Sequence, residues 1–498
     1  MKLGIIPYQE STDIVYKNAP QDLQERKKPD LPLLEPTHQI KSSVQSTNFD
    51  FVRTEDIPLN RRHFVYRPCS ANPYFTILGY GCTEYPFDHS GISVMDRSEG
   101  LSIARDRNDL VSVPNQYGWR TARSDVCIKE GMTYWEVEII HGGNGKCTPE
   151  IDDSVNEVRS GMYEKIFRQV NDTPHLRFGV CRREASLEAP IGFDAYGYGV
   201  RDISLESIHE GKLSCVLENG LPLKEGDKIG FFLKLPSIET QIKQAKEFTK
   251  GRILALNSHM DTMNEPWREE TENGLSRKKL KLETTNKEFQ RALLEDIEYD
   301  DVVRDQIAIR YKNQLFFEAT DYVKATKPEY YSSDKRERQD YYHLEDSFLA
   351  IYRNGRYIGK AFENLKPFLP PFSELQYNEK FYLGYWQHGE TREEPNDKSI
   401  PSAKKRKQLK KKKGMILRNK YVNNNKLGYY PTISCFNGGT ARIITEANQL
   451  EYLDQIKSEY CVGKEPQVNT LDTLYKEQVA EDIVWDIIDE LEQATSQR

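Results

Sequence analysis

Apolar residues recur at every second position through the middle of the chain. In MTYWEVEII, Thr133, Trp135, Val137 and Ile139 alternate with Met132, Tyr134, Glu136 and Glu138; in HLRFGV, Leu176, Phe178 and Val180 alternate with Arg177 and Gly179; DKIGFFLKL sets Ile229, Phe231, Leu233 and Leu235 on one side. A period of two sends successive side chains to opposite faces of an extended backbone, so each run predicts a half-buried strand. FLAIYRNGRYIGKAF holds two more runs around Asn354-Gly355, a pair that tolerates the positive φ of a tight type I′ hairpin. QIAIRYKNQLFFEA reads as one further strand, and YPTISCFNGGTARII as a strand, a glycine turn and a partner strand. Many short antiparallel strands separated by turns predict a mainly β fold, an antiparallel β-sandwich.

Helical spacing interrupts this pattern in three places. SIETQIKQAKEFTKG predicts a short helix, and ANQLEYLDQIKSEY spaces Leu450, Leu453, Ile456 and Tyr460 for another. After the breaker GKEPQVN, the stretch NTLDTLYKEQVAEDIVWDIIDELEQ predicts a long helix, with Asn469 as N-cap, Asp472 in the first turn and no Gly or Pro inside. Val479, Ile483, Ile487 and Leu491 repeat every four residues, flanked by Val484 and Ile488, while Glu481, Asp482, Asp486, Asp489 and Glu490 occupy much of the rest. This is one apolar stripe on an acidic rod. A helix of that length is marginal alone, so its stripe needs a cover, either the chain's own sandwich or a groove in another protein. The breaker before it and its place near the end of the chain favour the second.

Composition refines the domain picture. Residues 1–50 are rich in Pro, Gln, Ser and charge and predict a flexible N-terminal arm; 51–445 form the sandwich, with polar insertions at about 258–300 and 388–415; 446–468 are helix and linker, and 469–493 the terminal helix. The net charge of -7 hides a strong local asymmetry. Eight basic side chains fall within ten positions at 404–413: Lys404, Lys405, Arg406, Lys407, Lys410, Lys411, Lys412 and Lys413. Nuclear import, contact with the phosphates of nucleosomal DNA and a merely solvated insertion all fit this run, and nothing in it reads bases.

Several chemistries are excluded by what is missing. The 8 cysteines contain no CxxC pair, which argues for reduced thiols against a zinc knuckle or disulfide framework. No apolar run approaches the ~18 to 20 residues of a membrane span, and none at the N-terminus suits a signal peptide, so a soluble intracellular protein without a membrane partner is expected. There is no GxSxG elbow, P-loop, HExxH or kinase catalytic loop, and the 9 histidines join no cluster with cysteines or carboxylates. No catalytic residue, metal site or cofactor is therefore assigned.

What remains is binding. In HLRFGVCRREASLEAPIGFDAYGYGVRDIS, Arg177 projects from the face opposite the apolar residues of its strand. Gly192, Gly197 and Gly199 allow close backbone approach, Pro190, Phe193, Tyr196 and Tyr198 supply apolar walls, and Arg182, Arg183 and Arg201 add planar donors that match carboxylates. That mixture suits an acidic, partly hydrophobic peptide; the alternative is that the aromatics are core and the arginines solvate a rim.

The blocks EGMTYWEVEI, LRFGV, APIGFDAYGYGVR, GDKIGFFLKLP, LAIYRNGRYIGKAF and YPTISCFNGG resemble, in order, the SPRY domain over residues 60–445. With the acidic-apolar terminal helix, the chain resembles the absent-small-or-homeotic-two-like family, the SPRY subunits of Set-one/COMPASS histone methyltransferase assemblies. The resemblance implies a noncatalytic nuclear scaffold in the complex that methylates lysine four of histone H three. It implies a SPRY pocket gripping an acidic segment of a WD-repeat subunit, the pair supporting the SET-domain catalytic subunit. Carried over by position, the pocket falls on Trp119, Arg123, Arg177, Pro190, Phe193 and Arg201. A pocket lysine of the animal proteins is Ile203 here, and the cysteine spacing leaves no room for their zinc-finger-like region. The terminal helix resembles the motif that inserts into the dimeric four-helix module of a dumpy-thirty-like subunit. A SPRY substrate adaptor for ubiquitin ligation is the other reading, normally accompanied by a RING, B-box or cullin-box segment that this sequence lacks.

Overall fold

The computed structural model describes residues 34–41, 48–54, 64–71, 80–81, 87–143, 173–214, 223–264, 288–323, 342–378 and 419–496, with short breaks inside some of these spans. Two antiparallel sheets among them carry the core. The larger runs in the order Leu34–Lys41, Asn48–Thr54, Ser102–Ala104, Leu110–Ser112, Thr440–Ile444, Gly131–His141, Lys228–Leu235, Phe348–Arg353 and Arg356–Glu363. The smaller runs Lys212–Ser214, Ser207–His209, Gly197–Arg201, His175–Cys181, Tyr430–Phe436, Arg120–Ser124 and Ile92–Arg97. Their inner faces meet where the period-two residues predict: Trp135 stacks on Phe231 at 5.4 Å between centroids, and Phe178 of the opposite sheet lies 6.4 Å from Phe231. Val137, Ile139, Val180 and Ile433 complete that layer, all buried. The hairpin at Asn354-Gly355 is present, with φ of 49° and 77° and Arg353 paired with Arg356.

Several expectations are corrected. The strand Gly131–His141 is buried on both faces rather than one, because a helix, Leu453–Tyr460, covers the side bearing Met132 and Tyr134. Glu136 is completely buried there. Its carboxylate accepts the amides of Glu451 (3.3 Å) and Tyr452 (2.9 Å), just ahead of that helix, and the Tyr134 hydroxyl (3.0 Å). Unpaired donors near a helix start are where an anion is stabilised, so a charge reads as outward-facing in sequence and is inward-facing in the fold.

Part of the stretch assigned to an N-terminal arm is strand. Strands Leu34–Lys41 and Asn48–Thr54 pair with each other, and the second extends the main sheet through Phe51 and Val52. Polar composition concealed them because few of their residues pack: Ile40, Phe49 and Phe51 with Ala104 and Leu110, and Leu34 and Val52 with the main core. Residues 1–33 lie outside the described residues, as do 388–415 with the basic run, and so does most of the other insertion. The short helix at 237–251 is instead Ile238–Asn264 (α1), which enters that insertion. Helix Leu453–Tyr460 is α2.

QIAIRYKNQLFFEA is not one strand but a hairpin, Gln306–Tyr311 and Gln314–Val323, in a separate five-stranded sheet with Phe64–Pro68, Leu375–Asn378 and Asn419–Tyr421. Tyr66 and Phe316 pack with Met95, seating this sheet beside the sandwich. Nor do Tyr430–Phe436 and Thr440–Ile444 pair with one another. The turn between them, with Gly438 at φ 88°, carries the chain from one sheet to the other. A period-two pattern fixes which face a residue takes but not which strand it adjoins. The four described cysteines, Cys69, Cys127, Cys181 and Cys435, are buried and free.

One carboxyl near the root of the terminal helix gives a pH signature. Asp125 accepts the Gly91 amide (3.1 Å), and desolvation, with the nearby Asp472 adding, raises its pKa to about 7. Such a group holds its proton more tightly folded than unfolded. Its contribution to stability is complete below the ordinary value of 3.8 and is lost as pH rises through about 7. Relative to Asp125→Asn, the wild type is expected to lose roughly 1–2 kcal/mol of unfolding free energy between pH 5.5 and 8, read by urea titration.

Candidate functional site

The first candidate surface is built on the smaller sheet. Arg177 lies in register with Arg201 on one neighbouring strand and Ser434 on the other. Its guanidinium sits over the Trp119 ring, 4.9 Å from the centroid, and Trp119 leans on Phe436 at 5.3 Å. Asn437 holds the loop before Trp119: its amide donates to the Tyr117 carbonyl (3.0 Å) and its Oδ1 accepts the Gln116 amide (2.6 Å). Arg177 Nη1 also donates, at 3.5 Å, to the Ile191 carbonyl. Among the described residues it has no ion-pair partner. Burial and the adjacent Arg201 lower its pKa to about 10, with Asp202 opposing, so it stays charged at neutral pH. Arg201, by contrast, is already committed to Glu206 at 2.9 Å.

The loop that follows is fastened across the sheet. Thr121 Oγ1 donates to the Ala189 carbonyl (2.7 Å), the Ile191 amide to Ser434 Oγ (3.0 Å) and the Phe193 amide to the Pro190 carbonyl (3.1 Å). Gly192, at φ 83°, has no room for a side chain, since a Cβ there would meet the Ile208 carbonyl at 2.3 Å. Pro190 is half-buried and Phe193 is 44% exposed, so a bulky apolar ring stands in solvent two residues from the Ile191 carbonyl that Arg177 binds. Trp119, Arg177, Pro190, Phe193 and Arg201 thus share one region of the molecule.

Arg123 does not join them. It is 3% exposed and forks onto Asp96 (2.7 and 2.8 Å), with Nη1 donating to the carbonyls of Ala185 (3.0 Å) and Arg182 (3.4 Å). The resemblance placed Arg123 by position alone; it lies two places from Thr121 on the same strand, and the loop 182–185 closes over its side. Arg182 is likewise internal, bonded to the carbonyls of Pro367 (3.0 Å) and Phe372 (2.6 Å), and Tyr196 and Tyr198 are core. Arg123→Ala would take the bidentate guanidinium away from Asp96 and a buried donor away from the Ala185 carbonyl. A loss of about 3–5 kcal/mol is expected in denaturant unfolding, an effect Arg177 does not share.

The second surface is the terminal helix, Leu471–Ser496 (α3). Its cap is Thr470 rather than Asn469: Thr470 Oγ1 accepts the Thr473 amide at 3.2 Å. The strand Val468–Thr470, which pairs in parallel with Met132, Thr133 and Tyr134, runs directly into the helix, so Thr470 is the residue that precedes its first turn. Leu471 and Tyr475 enter the core, Leu474 and Val479 pack against it, and Gln478 Nε2 donates to the Cys127 carbonyl (2.9 Å). The first part of the helix therefore covers its own body, and Val479 is no docking residue.

Beyond Val479 the arrangement inverts. Asp482 and Asp486 are buried, at 2% and 4% exposure, while Val484, Ile487 and Leu491 are exposed at 55%, 47% and 60%, with Ile483 and Ile488 between. Asp482 and Asp486 face the protein, and Val484, Ile487 and Leu491 face water. Sequence reasoning found the stripe but missed the cations beneath it, Arg67, Arg304 and Lys426, because they come from three distant segments. Among the described residues no cluster of His, Cys, Asp and Glu is placed to hold a metal, and no helix is long and apolar enough to cross a membrane.

No protein-family model matches the chain. Individual relatives do. The chain is 83% identical over 505 residues to the COMPASS component BRE2 of Saccharomyces cerevisiae, covering 100% of both. It is 28% identical over 451 residues to the Set1 complex component ash2 of Schizosaccharomyces pombe, covering 90% of this chain and 48% of that one. To the COMPASS component cclA of Colletotrichum higginsianum it is 26% identical over 504 residues, covering 91% and 71%. Among solved structures it is similar to a human SPRY domain, at a TM-score of 0.25 and 8% identity, covering 69% of this chain and 96% of that one.

Proposed function

The chain belongs to the family of COMPASS components that includes budding-yeast BRE2, a family of scaffold subunits and not of enzymes, and from that premise we propose that it joins two neighbours within the assembly. The cup around Arg177 takes an acidic segment of a WD-repeat subunit. The outer face of α3 takes a dumpy-thirty-like dimer. Held together, these support the SET-domain subunit that methylates lysine four of histone H three, in the nucleus.

The observation that carries this reading is the inverted helix. Three large apolar side chains face water along one line while the acidic side chains that could have solvated that face are turned inward. A lone exposed Leu means little, but an aligned row at the end of a rigid element supports a docking face. The cup adds a charged guanidinium backed by an aromatic ring, suited to a carboxylate beside an apolar residue.

The test is the company the protein keeps. Tagged chain isolated from nuclei is expected to bring down the WD-repeat, SET-domain and dumpy-thirty-like subunits, identified by mass spectrometry. Recovery of a RING or cullin ligase in their place would establish the ubiquitin-adaptor reading instead.

A further inference from the structure

We infer that the acidic side of α3 is an electrostatic clamp that sets the direction in which the apolar stripe points, with Arg304 as its principal positioning residue. This rests on the docking role proposed above, since it concerns how that same stripe is aimed.

At ~100° per residue, Asp482, Asp486 and Asp489 fall on one side of the helix and Val484, Ile487 and Leu491 on the other, their centres roughly 165° apart. Among the described residues, the helix side chains in or against the main core end at Val479. Ion pairs hold the turns beyond it. Arg304 Nη2 meets Asp486 Oδ1 at 2.8 Å and its Nη1 meets Asp489 Oδ2 at 3.0 Å, one guanidinium spanning successive turns. The Arg304 side chain is 7% exposed and that of Asp486 5%. One turn back, Asp482 receives Lys426 at 3.3 Å and Arg67 at 3.5 Å. Burial lowers the pKa of Lys426, which Asp482 opposes, so the pair depends on its counter-charge. Further out, Glu481 pairs with Lys129 at 3.6 Å and accepts the Asn425 side-chain amide.

These cations come from the strand Phe64–Pro68, from the segment ahead of Gln306–Tyr311 and from the loop ahead of Tyr430–Phe436. Two of the three segments belong to or lead into the five-stranded sheet, which thereby acts as a bracket for the helix. Enclosed ion pairs add little net stability against an apolar alternative but strongly specify register, because any rotation strands a charge away from water. A stripe fixed in direction also spares the partner the cost of ordering it.

The test uses the full chain in three forms: Arg304→Ala, the conservative Arg304→Lys, and the charge exchange Arg304→Asp with Asp486→Arg. Hydrogen exchange of the free protein is read first. Arg304→Ala is expected to speed amide exchange across 481–496 by roughly tenfold or more while 471–479 stay protected, since a buried charge loses its partner. Calorimetric titration with recombinant dumpy-thirty-like dimer should then show about 5- to 20-fold weaker binding, partly restored in Arg304→Lys and in the exchanged pair. Unchanged exchange, or faster exchange with undiminished affinity, overturns the clamp. Because exchange needs no partner, failure of the wild type itself to bind the dimer would remove the docking role while leaving the clamp to be decided by exchange.

Discussion

Ile487→Glu is expected to abolish capture of the dumpy-thirty-like dimer while the sandwich stays folded. Burying an Ile side chain in a groove contributes about 1.5–3 kcal/mol. Placing a carboxylate there adds a desolvation cost of several kcal/mol, so affinity should fall by more than about 100-fold, beyond a pull-down's reach. The free protein should hardly notice. Ile487 is 47% exposed and lies on the side away from Arg304 and Lys426, so its thermal unfolding should match the wild type's. Val479→Glu is the informative contrast. That residue packs against the core, and its replacement should lower stability first and binding only as a consequence.

The second large effect is at the cup. Arg177→Ala is expected to weaken binding of the acidic WD-repeat segment by about 10- to 100-fold in a calorimetric titration, the loss of charge-assisted hydrogen bonds worth about 1.5–3 kcal/mol. Its cost to the fold is small, because the guanidinium makes one long bond to the Ile191 carbonyl and sits against the like charge of Arg201. Arg177→Lys should recover only part of the affinity: an ammonium keeps the charge but cannot present two parallel donors or lie flat on the Trp119 ring. Arg201→Ala should cost less than Arg177→Ala, since Glu206 already neutralises it.

These two surfaces were legible in the sequence to different depths. Period-two alternation gave the strands and the core side of each, and the Asn354-Gly355 turn appeared with its expected geometry, because both depend on neighbours along the chain. Strand partners did not follow. The two strands around Gly438 diverge into separate sheets, and the five-stranded sheet was invisible because it assembles segments more than 200 residues apart.

At the cup, alternation set Arg177 opposite the apolar residues of its strand, and the guanidinium lies over the Trp119 ring. Arg123 entered the pocket only through the resemblance, by position, and Asp96 and the 182–185 carbonyls enclose it. A charge's fate depends on what folds over it, which alternation does not record. Phe436 and Asn437, which hold Trp119 in place, sat unremarked inside a block read only as strand and turn.

The terminal helix shows the same limit more sharply. Its stripe and its acidic side were both visible, and the ordinary expectation buries the first and solvates the second. The fold does the reverse beyond Val479, because Arg67, Arg304 and Lys426 supply the counter-charges.

The most direct measurement is the mass, by light scattering on a sizing column, of the chain mixed with an excess of both the acidic WD-repeat segment and the dumpy-thirty-like dimer. The predicted species contains one chain, one segment and one dimer, with Arg177→Ala losing only the segment and Ile487→Glu only the dimer. A complex that holds one partner at the other's expense, or a single substitution that releases both, would contradict two separate preformed surfaces.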